Sequence, residues 1–169
     1  MVKIYKSNYR QRIKHFWSFY LFLGAIMIFV LFAIYKFGIR DLGMYLKIML
    51  MPFILFILPT IYIHIEYYFT NRNDILKIDD TNYCVEYTHK NKTIVFNFND
   101  IHSIEQFKTP VAIEKRESWV PWDIYNHSKV TLHDGSKITI TCYLIDEFDL
   151  PIGDEKKKLH RVLFPRLKH

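Results

Sequence analysis

The first fifteen residues are polar and basic, and the next twenty, Phe16 to Tyr35, contain no ionisable side chain except the phenols of tyrosine. A helix of that length rises about 30 Å, the thickness of a bilayer's hydrocarbon core. A second run, Ile48 to Ile65, has eighteen residues with Thr60 and His64 as its polar positions. The pattern predicts a transmembrane helical hairpin over residues 16–69, with spans at about 16–36 and 47–67. A cleavable signal peptide is the competing reading of the first run. The run is too long for one, lacks a small-residue cleavage site, and precedes a second span.

From Thr70 the continuous apolar runs give way to alternation. Ile75–Ile78 reads as a strand, then a turn at Asp79-Asp80-Thr81-Asn82. In the next strand Tyr83, Val85 and Tyr87 share a face. Lys90-Asn91 turns the chain into Thr93–Phe98, and Ile101–Phe107 follows. Lys129–Leu132 and Lys137–Leu144 flank Asp134-Gly135, a strong hairpin signal that predicts a type I′ turn. Ile138, Ile140, Cys142 and Leu144 are expected to face the core together. Residues 154–164 read as a short helix: Asp154 caps, basic residues follow, Leu159, Val162 and Leu163 form an apolar stripe, and Pro165 ends it. The domains are then a basic N-terminus over 1–15, the hairpin, and a small α+β domain over 70–169.

Charge refines this picture. Residues 1–69 hold eight Lys and Arg against two acids, whereas residues 70–169 hold fifteen of each. The net charge of +6 therefore belongs to the apolar front end, which argues against a nucleic-acid partner. Lys and Arg flank the first span on its N-terminal side and the second on its C-terminal side, so both termini are expected in the cytoplasm. Pro52 and Pro59 fall on one helix face, as gating hinges or as a kinked, packed span. His64 and Glu66 lie near the cytoplasmic end, where water is within reach.

Signatures of catalysis are missing. The chain has no Gly-x-x-x-x-Gly-Lys, Gly-x-Gly-x-x-Gly, Gly-x-Ser-x-Gly or His-Glu-x-x-His motif, and its five glycines are few for a phosphate-cradling loop. Cys84 and Cys142 stand far apart and are expected as thiols in a reducing compartment. No enzyme, no cofactor and no metal site is expected. Two features stand out as contact candidates. Trp119 and Trp122 flank Pro121 on an irregular stretch, and indoles suit partner interfaces and membrane surfaces as well as a barrel core. Lys156, Lys157, Lys158 and Arg161 form a basic cluster, either solvated or apposed to an anionic leaflet.

The run Ile94-Val95-Phe96-Asn97-Phe98-Asn99-Asp100-Ile101-His102-Ser103-Ile104, the hairpin Val130 to Ile140 and the final helix, behind paired anchors, resemble the membrane-anchored bacterial pleckstrin-homology-like domain proteins. The resemblance covers about residues 70–165. It implies an antiparallel β-barrel or sandwich closed by a C-terminal helix, serving as a non-catalytic binding or scaffolding module. Eukaryotic relatives hold phosphoinositides with basic residues around the first hairpin loop. Here that loop reads as Asp79–Asn82, which is acidic, so the activity is not carried over. The expectation is a multi-pass protein of the inner, cytoplasmic membrane, integral to the lipid bilayer, whose domain binds a protein partner. The alternative is an accessory or immunity-type protein acting through its spans on a larger membrane partner.

Overall fold

The computed structural model describes residues 1–7, 9–38, 42–117 and 120–167. Strand β1 (Val2–Lys6) comes first, then helix α1 (Tyr9–Phe37), α2 (Leu42–Pro52) and α3 (Leu58–Asn71). A π-helical turn over Phe53–Ile57 joins α2 to α3. The strands β2 (Ile75–Asp79), β3 (Cys84–His89), β4 (Lys92–Asn97) and β5 (Ile101–Lys108) follow. A four-residue helix α4 (Pro110–Ile113), β6 (His127–Leu132), β7 (Lys137–Thr141) and β8 (Lys157–Arg161) complete the chain.

Two four-stranded sheets result, ordered β1-β2-β3-β4 and β7-β6-β5-β8. Alternation explains why they pack. Leu76 and Ile78, Val85 and Tyr87, then Phe96 point inward from the first sheet, joined by Phe98 just past β4. Ile101, Ile104, Val130, Leu132, Ile138 and Ile140 meet them from the second, with Leu144, Phe148 and Leu150 closing the end. Each such side chain stabilises the fold by about 1.5–3 kcal/mol on burial. Cys142 is also buried, but in a second cluster with Ile63, Tyr67, Tyr125 and Tyr143.

Turn chemistry agrees in place and differs in type. Lys90 and Asn91 both have positive φ, +46° and +65°, and form the tight reversal between β3 and β4, the geometry of a type I′ turn. At Asp134-Gly135 Gly135 has positive φ (+85°) and Asp134 does not. The Gly135 N–H donates to Leu132 O at 3.0 Å and the Leu132 N–H to Ser136 O at 2.9 Å. This is a type I turn closed by a left-handed glycine. The Asp134 carboxylate accepts from the Ser136 N–H at 2.7 Å, and this bond holds its carboxyl below the usual range.

Three sequence expectations are corrected. The C-terminal helix over 154–164 is absent: Asp154–Lys156 makes one 3-10 turn and Lys157–Arg161 pairs in parallel with Ile104–Lys108 of β5. An apolar stripe of three residues is too little to hold a helix of that length. The open edge of β5 offers a backbone ladder instead, and His160 stacks on Phe107 at 4.7 Å. Next, the N-terminal fifteen residues are not merely a basic flank, because Val2–Lys6 pairs antiparallel with Ile75–Asp79. The domain therefore begins before the helices. Finally, Asp79–Asn82 is not the first connection of the sheet; it joins β2 to β3, and the two apolar helices themselves connect β1 to β2.

Phe19–Lys36 and Gly43–Asn71 are long and apolar enough to cross a membrane by length and composition. Pro52 and Pro59 bracket the π turn. Proline lacks an N–H and crowds the carbonyl four residues back, so the widened turn over Phe53–Ile57 accommodates the ring of Pro59.

Candidate functional site

The last turns of α3 penetrate the domain. Ile63, Tyr67 and Asn71 have no solvent exposure, and the spacing of four keeps them on one helix face. Tyr67 donates its hydroxyl to Pro165 O at 2.7 Å and lies 3.0 Å from His127 Nδ1. Since the phenol proton is committed to Pro165, His127 Nδ1 is the donor to Tyr67. The hydroxyls of Tyr125, at 3.0 Å, and of Tyr143 both face His64 Nδ1. Burial pushes the Tyr125 phenol above its ordinary value. His64 and Glu66 are thus structural ties: Glu66 Oε2 accepts the Leu167 N–H at 3.1 Å.

Asn71 links both sheets to the helix. Its Nδ2 donates to Asp74 Oδ2 at 2.6 Å and to Thr139 O at 3.1 Å, and lies 3.2 Å from the Tyr87 hydroxyl. Its Oδ1 accepts the Thr141 N–H at 2.8 Å. The buried Asp74 also takes the Tyr87 hydroxyl at 2.6 Å and faces His89 Nδ1 at 2.9 Å. Burial, then the bond to Asp74, raises the Tyr87 phenol.

Of the contact candidates, Trp119 lies outside the described residues. Trp122 is half-buried and stacks on Phe56 of the π turn, with ring centroids 5.8 Å apart and planes 19° from parallel. Phe164 meets it edge-on at 5.6 Å, and its Nε1–H donates to Leu163 O at 3.0 Å. The basic cluster falls on the 3-10 turn and β8, and the strand divides it. Lys156 donates to Ile101 O at 2.7 Å, and Lys157 to Asp149 Oδ1 at 2.7 Å. Lys158 and Arg161 are exposed.

Two cations legible in the sequence, Arg72 just after the second apolar run and Arg166 in the basic C-terminus, stand at the helix exit. Arg166 lies over the Tyr62 ring at 4.9 Å and donates Nη2 to its hydroxyl at 2.9 Å. Arg72 covers Tyr68 at 5.6 Å. A cleft of about 470 Å³ is rimmed by His89, Lys90, Lys92 and Lys137, brought together by the β3–β4 turn and the start of β7. Lysine in a hairpin turn was the available signal, but its neighbour from β7 depends on how the two sheets meet. Another cleft of about 620 Å³, between Lys108, Lys115, Ile124, Asn126 and Glu147, mixes acids with bases. Among the described residues, no group of three His, Cys, Asp or Glu could hold a metal.

No curated protein and no solved structure matches the chain. A family described as PH domain matches residues 4–151, which takes in the last three residues of β1, both apolar helices and every strand from β2 to β7. PH domains are generally non-catalytic interaction modules. On that match, the chain belongs to the PH domain family.

Proposed function

We propose that this protein is a membrane-tethered, non-catalytic interaction module, presenting its PH domain at the cytoplasmic face of the inner membrane. The observation that carries the reading is the exposure of the apolar helices. Ile28, Leu31 and Phe32 of α1 and Met51 and Leu55 beyond it are all more than half exposed. An apolar surface of that extent calls for lipid or a partner rather than water. Pairing of β1 with β2 supports placing the N-terminus and the domain on one side, and the Lys and Arg bias supports the cytoplasmic side. The cationic cleft at His89, Lys90, Lys92 and Lys137 fits an acidic segment of a protein partner.

Reporter fusions after Arg40 and after Leu167 test the topology. They should land on opposite sides of the membrane, with the Leu167 fusion inside; both inside, or the reverse order, would sink it. Crosslinked partners recovered from native membranes test the module. Their loss on Lys90→Glu supports the domain as the binding part. Recovery that survives this change and fails on Leu31→Ala and Phe32→Ala would favour an accessory protein acting through its spans.

A further inference from the structure

We propose that the domain does not stand clear of the bilayer: its edge carrying Trp122, Leu163 and Phe164 is seated in the leaflet on the domain's own side, in contact with lipid acyl chains. This rests on the membrane-tethered reading and adds depth and orientation to it.

The depth follows from Phe56. Its ring packs on Phe22 of α1 at 5.7 Å and on Trp122 at 5.8 Å, so all three lie at one level. Phe22 is six residues inside the uncharged run that begins at Phe16, and Phe56 is ten residues before Glu66. At about 1.5 Å per residue these offsets are about 9 Å and about 15 Å. By either helix the indole stands well within the apolar zone. Six residues above Phe56, Tyr62 carries Arg166 on its ring and hydroxyl, the aromatic and cationic pairing suited to a headgroup boundary.

The chemistry of the edge matches lipid. Leu163 is 82 % exposed, an apolar side chain that the described residues leave almost bare. The Trp122 N–H is already bonded to Leu163 O. An indole facing water has no need of such a bond, whereas one entering an apolar phase would otherwise leave a donor unpaired. The Trp122–Phe56 stack joins this edge to the helices, so the same bilayer would cover both.

The test uses the full chain in phosphatidylcholine and phosphatidylglycerol vesicles containing phosphatidylcholine brominated near the top of the acyl chain. In a Trp17→Phe, Trp119→Phe variant, emission comes from Trp122 alone; Trp119→Phe, Trp122→Phe leaves Trp17, which is 59 % exposed on α1. The expected result is that Trp122 loses its emission to brominated lipid as fully as Trp17 and is untouched by aqueous iodide. Leu163→Asp, at an exposed position that should leave melting unchanged, should weaken the lipid quenching of Trp122. If Trp17 is quenched by lipid and Trp122 by iodide, the seated edge is wrong and the tether stands. If lipid quenches neither, the tether itself fails. A Trp122 shielded from both quenchers beside a lipid-quenched Trp17 would mean that protein, such as a second copy, covers the edge, and would overturn the proposal.

Discussion

Ile4 stands directly opposite Lys77 in the β1–β2 ladder. A residue that precedes both apolar helices and one that follows them are thus neighbours in a single sheet. The helical hairpin is an excursion from within the PH domain rather than an anchor attached to its end. This has a consequence for stability. Tyr5 of β1 packs against the main core, so Tyr5→Ala should lower the domain's stability by about 1–2 kcal/mol in urea titrations of the full chain. No change would mean that β1 is not an integral strand.

Asn71 gives a second expectation. Its amide serves Asp74, Tyr87, Thr139 and Thr141 at once. Asn71→Ala leaves the Thr141 N–H and the Asp74 carboxylate short of a partner, at a cost of about 3 kcal/mol. Asn71→Asp should cost more, because it sets two carboxylates side by side in a buried site. A loss within about 0.5 kcal/mol, as at an ordinary surface position, would dismiss the network as a stabilising element.

Alkali should unfold the domain. The phenols of Tyr87 and Tyr125 are held protonated, both chiefly by burial, so their folded pKa values lie above the ordinary value of about 10. Raised values contribute stability that is complete below the unfolded pKa and is lost as pH rises above it toward the folded one. Phenolate absorbance from these two residues should therefore appear together with loss of tertiary circular dichroism, above about pH 10. Titration of both phenols near that pH in a domain that stays folded would contradict their burial.

Gly135 separates a backbone effect from a packing one. Nothing lies within 4 Å of where its Cβ would be, yet its φ is +85°. Gly135→Val should then cost about 1–2 kcal/mol through the left-handed conformation alone. Gly135→Asn should cost clearly less, since asparagine tolerates that region. Equal melting temperatures for glycine, asparagine and valine would rule out the turn as drawn.

Strands β2 to β7 were legible because each encodes its own burial: Val85 and Tyr87 alternate with Glu86 and Thr88, and the inward positions need no knowledge of their partners. β1 was hidden for the opposite reason. Val-Lys-Ile-Tyr-Lys is short, sits beside a long apolar run and pairs with a strand beyond both helices, so no local signal separates it from a basic flank. In Lys157–Arg161 a helical spacing of Leu159 with Val162 and Leu163 masked a strand. The decisive factor was the vacant edge of β5, which no neighbouring residue announces. Trp122 was recognisable by type, but its partner Phe56 depends on how far α3 rises into the domain. The buried stripe of Ile63, Tyr67 and Asn71 settles that only once the helix has packed.

The placement of the helices between β1 and β2 also orders the protein's birth. β1 leaves the ribosome before the helices and has no partner until the whole hairpin and then β2 have been made. The first sheet can close only once that long excursion has brought its ends together, at an entropic cost that hairpin formation removes in advance. On the proposed membrane-tethered reading, membrane integration and completion of the domain would thus be successive steps of one assembly. A chain whose hairpin failed to integrate would present an unpaired β2 edge, the kind of surface on which sheets aggregate.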